Sequence, residues 1–392
     1  MADVLIAGGG IAGLATALGV ARKGHHVTVL ESRGEFGEVG AGIQLAPNAF
    51  RALDHIGIGD EVREGAVFID ELRLMDGITG QRITRMPLGR EFCHRFANPY
   101  AVVHRHDLYR PLLAACQEMD SIVLRSATTV RGYEQDRLGV TVILDSGDRL
   151  RGAALVGADG LRSMVRQRVI GDGEPRVSGH TIYRSVIPVE HMPEELRWNA
   201  AVLWAGPKCH IVHYPIGGWR YFNLAATRDN GATVPVAGQR VADSEVRREF
   251  RHMHEVPRRL IEHGQNWKAW VLCDRDPVPR WTDGRVVLVG DAAHPMLQYA
   301  AQGAAMALED AVLLSELVEA DANFANVFER FNAARVTRTS TVQIISRRMG
   351  EEVYHPAGVR ALARDARLAL TTEELYDQVA WLYDAEVTAN AS

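Results

Sequence analysis

The sequence predicts an α/β protein in which a parallel sheet carries an inserted antiparallel sheet and ends in a group of helices. Three observations lead there. A strand–helix–strand unit opens the chain, with apolar runs at Val4–Ala7 and His26–Glu31 on either side of a glycine-broken turn. Short β-branched and aromatic runs separated by turn signals then fill residues 176–275. Finally, RVVLVG at 285–290 reads as a returning strand with a long helical pattern behind it. The expected organisation is 1–175 for the first part of the parallel-sheet domain and 176–275 for the inserted sheet. Residues 276–322 return to the first domain, and 323–392 form C-terminal helices.

Gly8-Gly9-Gly10-Ile11-Ala12-Gly13 fits G-x-G-x-x-G, and a helical pattern follows through Leu14, Ala17, Leu18 and Ala21. In such a Rossmann-type unit one glycine permits the tight turn and another lets the backbone approach a pyrophosphate. The third lets the helix pack closely on the strand. The helix N-terminus offers free N–H groups and the positive end of its dipole to phosphates. Glu31, 18 residues after Gly13, ends the second strand where its carboxylate can accept hydrogen bonds from a ribose. A glycine turn without a ligand would fit the first motif alone; strand, helix, strand and acid in register favour a dinucleotide.

The bulk numbers exclude several classes. With 392 residues, 47% hydrophobic and 24% charged, the chain can build one large or two smaller cores. A net charge of −5 with scattered Lys and Arg argues against a nucleic-acid surface. Cys93, Cys116, Cys209 and Cys273 form no C-x-x-C pair, which argues against a zinc site or a disulfide framework and fits a reducing cytoplasm. The opening apolar stretch is too broken by glycine for a membrane helix and lacks a basic lead-in, so no signal peptide is expected.

Three later stretches narrow the reading. HRHDLYRPLLAAC places Arg105 and Asp107 at the start of a helical pattern. ALVGADGLRSMVR places Asp159-Gly160 at the end of an apolar strand. GDAAHPMLQYAAQGAAMALEDAV places Asp291 in a loop ahead of a long helix. Capping of a loop explains Asp159 and Asp291 equally well on spacing alone. In this order, however, the motifs resemble those of the single-component flavoprotein aromatic hydroxylases, the p-hydroxybenzoate hydroxylase-like group. The resemblance spans residues 4 to about 310.

That resemblance implies FAD across the top of the parallel sheet, with its adenosine ribose on Glu31 and its pyrophosphate near Arg105. Asp159 would meet flavin and nicotinamide phosphates, and Asp291 the ribityl chain. Backbone N–H groups near Gly303 would face the flavin pyrimidine and stabilise the reduced ring. Relatives often carry a second G-x-G before the last helix; here only Gly303 matches, and Gln298 and Gln302 stand nearby. The resemblance further implies NADH, with NADPH possible, molecular oxygen and a homodimer.

The inserted sheet is expected to form a floor over the flavin with a pocket at the domain boundary. CHIVHYP puts His210 and His213 three residues apart in one strand, hence on opposite faces, so one of them can enter the pocket. This stretch, Q-Y-x-A-Q-G-A and the tail E-E-V-Y-H-P-A-G-V-R are similar to 3-hydroxybenzoate 6-hydroxylases in particular. The resemblance then implies His213 and Gln302 at the substrate phenol. Reduced flavin and oxygen give a C4a-hydroperoxide whose distal oxygen is electrophilic, and a phenolate attacks it better than a phenol. A histidine with an ordinary pKa of about 6.5 suits that proton transfer, and an uncharged amide at Gln302 can hold the oxygen. Attack para to the hydroxyl converts 3-hydroxybenzoate to 2,5-dihydroxybenzoate (gentisate). Salicylate 1-hydroxylation and the hydroxylation of another aromatic acid are the alternatives, followed by an FAD-dependent reductase that activates no oxygen.

Arg184 is a candidate for the substrate carboxylate through its strand position alone. Tyr221 and Phe222 read as an aromatic wall or as core. Trp381, Leu382 and Tyr383 read as a contact patch or as core.

Overall fold

A computed structural model of the chain describes residues 1–37, 40–318 and 323–385. Its parallel sheet runs in the order Val286–Leu288, Ala154–Gly157, Asp3–Ala7, His26–Leu30, Ile122–Arg125, with Thr282–Asp283 antiparallel at one edge. The opening strand has parallel partners on both sides, so Val4, Leu5, Ile6 and Ala7 are all buried and their pattern does not alternate. Parallel pairing also aligns the carboxyl ends: Ala7 lies beside both Leu30 and Gly157, and Gly157 beside Leu288. Ligands of such sheets bind at that edge.

The first helix, Ile11–Arg22, is buried almost all round because the helix Gly303–Leu317 lies against its other side. Close approach explains Gly19: a Cβ there would stand 2.9 Å from the Ser315 Cβ. Pro47 begins the helix Pro47–Ile56, where its missing N–H costs nothing.

The inserted sheet is wider than the sequence predicts. It has eight strands in the order Ala237–Arg240, Lys268–Asp274, Arg176–Pro188, Tyr221–Asp229, Cys209–Ile216, Ala200–Gly206, Glu71–Asp76, Arg82–Pro87. The last two belong to the segment before residue 176, and Glu71–Asp76 pairs parallel with Ala200–Gly206. Two helices, Asp243–Glu249 and Glu255–His263, lie between its strands. These helices cover one face of the sheet, where Ile211, Trp204, Phe222 and Leu224 pack with Val246, Phe250 and Leu260. The other face looks back at the parallel sheet.

The long helix Phe324–Arg348 starts at Asn323, whose side chain accepts the Ala325 N–H at 3.2 Å. It ends in a π-helical turn, Met349–Tyr354, and the helices Val359–Leu368 and Thr372–Tyr383 follow. Leu382 and Tyr383 are core beside Phe92 and Phe96; only Trp381 is exposed.

Candidate active site

One cavity of about 930 Å³ runs from the glycine turn to the inner face of the inserted sheet. At one end lie Gly8, Gly9 and Gly10, with Glu31 beside them. Gly8 has φ +104°, and a Cβ there would stand 2.3 Å from the Ala158 carbonyl oxygen. The Gly13 Cβ would stand 1.9 Å from Gly8 O, so the helix is seated directly on the turn. Glu31 Oε2 accepts the Gly9 N–H at 2.8 Å and Oε1 accepts that of Arg33 at 2.9 Å. This fixes the carboxylate at the cavity edge.

Arg105, Asp159 and Asp291 come together along the cavity although they lie far apart in sequence. Arg105 opens the helix Arg105–Gln117 and packs over Gly40, where a Cβ would meet its Cδ at 2.4 Å. Asp159 also caps the helix Met164–Val169: it accepts the Ser163 hydroxyl and the Met164 and Val165 N–H groups, the last two at 2.8 and 3.1 Å. Asp291 projects into the cavity. Burial raises its carboxyl above the usual range, with His294 and Arg105 opposing.

The helix Gly303–Leu317 aims its N-terminus into the middle of the cavity. Met306 N bonds to Gln302 O at 2.9 Å, which leaves the amides of Gly303, Ala304 and Ala305 without an intrahelical acceptor. Ala301, just ahead, is held at φ +52°, a left-handed conformation that costs a non-glycine residue about 1 kcal/mol and recurs at functional sites.

The far end of the cavity is floored by the sheet. Register carries one row of side chains across it: Arg184, Ala225, Val212, Leu203, Leu74 and Thr84, each beside the next on a neighbouring strand. All six line the cavity. Thr84 and Leu74 come from the two strands that the sequence did not place in this sheet. Arg184 donates to Gln298 Oε1 at 2.7 Å, and burial lowers its pKa from the ordinary value. Tyr214 lines the cavity; of the two residues read as an aromatic wall or as core, Phe222 is core on the helix side and Tyr221 is exposed.

Strand alternation decides between the histidines, and it corrects the expectation for His213. His210, Val212 and Tyr214 face the cavity; His213 points to the helix-covered face. There its ring lies 5.7 Å from that of Trp198, and neither ring nitrogen has a hydrogen-bond partner among the described residues. Burial, with Arg73 nearby, pushes its pKa down to about 3. His210 Nδ1 sits 2.8 Å from His355 Nε2, so Nε2 is the atom left for the cavity. Burial holds His210 well below its ordinary pKa, and His355 and His180 add to this.

Gln302 does face the cavity, and its orientation is set from behind. Glu309 can only accept when ionised, so Asn48 turns its NH₂ inward and donates to Glu309 Oε1 at 2.7 Å and to Gln302 Oε1 at 3.0 Å. The Gln302 NH₂ is thereby directed to the cavity. Burial raises the Glu309 carboxyl, but Arg335 and Arg338 outweigh it and hold the pKa below the usual range. Each guanidinium is 2.7 Å from Glu309. Arg338 also donates to the carbonyls of Trp381 and Leu382 at 3.1 and 2.8 Å. Asp310 ties the same helix to His294 and to the Gly290 N–H. Asn48, Glu309 and His355 escaped the sequence reading; the stretches A-P-N-A-F, A-L-E-D-A and V-Y-H-P were visible, but nothing in them shows which residues meet.

The residues present fit FAD. Space for a dinucleotide starts at a cradle closed to any Cβ, an acid stands beside it, and a helix N-terminus whose first amides lack intrahelical acceptors lies midway. The fold and this cavity define an FAD-dependent hydroxylase of the single-component type, with its cofactor and aromatic sites in one space. A family model described as an FAD binding domain matches residues 1–323. A protein of Aquipseudomonas alcaligenes named 3-hydroxybenzoate 6-hydroxylase 1 is 50% identical over 98% of both chains. The 3-hydroxybenzoate 6-hydroxylase of Polaromonas naphthalenivorans is 44% identical over 97% of this chain and 95% of its own. Among solved structures, Klebsiella pneumoniae HpxO complexed with FAD and uric acid superposes with TM-score 0.85 at 23% identity, covering 97% of this chain and 96% of that one. A salicylate hydroxylase substrate complex superposes with TM-score 0.84 at 23% identity, covering 98% and 96%. This chain belongs to the FAD-binding family of single-component aromatic monooxygenases.

Proposed function

We propose that this chain hydroxylates 3-hydroxybenzoate para to its hydroxyl to give gentisate, with NADH as the reductant. The observation that carries the reading is the pairing of His210 and Gln302 over a mainly apolar floor, in the same cavity as the dinucleotide cradle. The names of the relatives agree with it.

Bound and reduced, FAD would supply the two electrons that activate O2, which is the source of the oxygen atom transferred to the ring. The chain's residues prepare the ring for it. His210 accepts the phenol proton at Nε2. Its buried site disfavours the imidazolium, which is matched by the need to pass the proton on rather than keep it. Gln302 donates its amide N–H to the resulting phenolate oxygen and adds no charge. Gly303 and its neighbours present amides to the developing negative charge of the reduced cofactor.

Arg184 supplies the cation for the substrate carboxylate. It lies in the row that also contains Val212, two residues along the strand from His210. A guanidinium–carboxylate contact there would set the ring across the floor toward His210 and Gln302. No helix among the described residues is long and apolar enough to cross a membrane. A cytoplasmic homodimer completes the proposal by analogy with the family.

The test is product identity. Purified protein supplied with NADH, oxygen and 3-hydroxybenzoate should form gentisate in step with NADH loss. Catechol from salicylate, with 3-hydroxybenzoate left intact, would move the assignment to salicylate 1-hydroxylation. Turnover without oxygen consumption would place the chain among flavin reductases.

A further inference from the structure

Of the tail Glu351-Glu352-Val353-Tyr354-His355-Pro356, only the contact of His355 with His210 has a place in the site as described so far. The long helix Phe324–Arg348 does not simply end before it; it widens into the π-helical turn Met349–Tyr354, a distortion that recurs at functional positions. The turn brings Val353 and Tyr354 to the cavity and lays His355 on His210. The two rings are stacked with centroids 5.0 Å apart, and Nδ1 of one is 2.8 Å from Nε2 of the other. His210 is 1% exposed, while His355 is part-exposed. The pair thus spans the wall between the cavity and the outside.

We propose that His355 is a proton-relay residue, which takes the substrate's proton from His210 and delivers it to water. This deepens the reading of His210 as the base and rests on it. As the phenol O–H bond breaks, its proton joins His210 Nε2. The Nδ1 proton of His210 moves to His355 Nε2, and the Nδ1 proton of His355 leaves to solvent. One proton leaves the substrate, one reaches water, and no electrons change hands. Both rings finish neutral with exchanged tautomers, and they return to their first state when a proton travels back to an oxygen of the product.

The surroundings favour transit over storage. His180 meets His355 edge-on with ring centroids 5.0 Å apart and bonds Tyr299 at 2.5 Å; Tyr299 and Tyr354 wall His210. The charged groups acting on His355 are Asp229, which favours its protonation, and Arg228, which opposes it. Burial outweighs both, and pushes His355 down to about 3. Burial disfavours the charged form of both rings, which favours passing the proton on over keeping it.

His355→Gln tests this in the FAD-loaded enzyme. A Gln carbonyl can accept the His210 Nδ1–H much as Nε2 does, so a merely supporting role would survive; it cannot carry a proton. The expected result is unchanged flavin content, substrate affinity within twofold of wild type, and hydroxylation slowed on the order of 10²-fold, the low end for general acid–base steps. In His355→Ala, which opens the wall, added imidazole should restore part of the rate. Wild-type turnover in His355→Gln, or no response of His355→Ala to imidazole, would overturn the relay. Full activity in His210→Ala is a separate result: it would remove the base itself, and the relay with it.

Discussion

Asn48 holds Gln302 by a 3.0 Å hydrogen bond whose direction is dictated by Glu309, 2.7 Å away on the other side of the same NH₂ group. A residue on the helix Pro47–Ile56 therefore determines which atom of Gln302 faces the cavity. Asn48→Ala should free the Gln302 amide to flip. The expected outcome is intact FAD binding with less product per NADH consumed and more hydrogen peroxide released. Loss of the buried hydrogen bonds should also cost about 1–3 kcal/mol of stability. Product and peroxide yields per NADH check the first effect, and urea unfolding checks the second.

His213 offers the opposite case, a buried imidazole with two unpartnered nitrogens and no view of the cavity. His213→Leu removes those polar atoms and keeps most of the volume. Turnover should stay within twofold of wild type, while stability at neutral pH rises by about 1–2 kcal/mol. A large fall in hydroxylation rate in this variant would return the base to position 213.

The same residue sets an acid sensitivity. An unfolded histidine takes up a proton near pH 6.5, whereas folded His213 does so only near pH 3. Between those values the unfolded chain binds more protons, so stability is full above about pH 6.5 and is lost as pH falls toward 3. The slope from one such group reaches about 1.4 kcal/mol per pH unit. His355 follows the same rule with its value of about 3. Unfolding free energies measured between pH 7.5 and 5 should show this fall, and His213→Leu should make it shallower.

Gly8→Ala should give a colourless protein. Its Cβ would stand 2.3 Å from a backbone oxygen that cannot move aside, at a φ of +104° that side chains avoid. Absorbance near the flavin band, compared with far-UV circular dichroism, separates loss of FAD from loss of fold.

Arg184→Met should raise KM for 3-hydroxybenzoate by about 10- to 100-fold, the range for a hydrogen bond to a charged group, with a smaller change in kcat. An unchanged KM would show that the carboxylate binds elsewhere.

The cofactor half was legible because its signals are local. Gly8 to Glu31 encode turn, helix dipole and acid within one supersecondary unit, and the strands on either side are apolar enough to recognise. The substrate half depends on contacts between distant segments. Glu71–Asp76 and Arg82–Pro87 join the inserted sheet across more than a hundred residues of chain, and their composition does not reveal the partner. The histidine faces were ambiguous for a related reason. Cys209, Ile211 and His213 on one side, and His210, Val212 and Tyr214 on the other, are almost equally apolar, because this strand is covered on both faces. Periodicity reports burial, and here burial does not distinguish cavity from core. The resemblance pointed to His213, whereas His210 is the histidine of this strand that lines the cavity.

Arg338 grips Glu309 with one edge of its guanidinium and the carbonyls of Trp381 and Leu382 with the other. The last turn of the helix Thr372–Tyr383 is thus wired, through Glu309 and Asn48, to the Gln302 amide that lines the cavity. Removing the chain from Thr372 onward would take away both of those acceptors together with the core residues Leu382 and Tyr383. Anyone trimming this end of the molecule for convenience would be editing its chemistry.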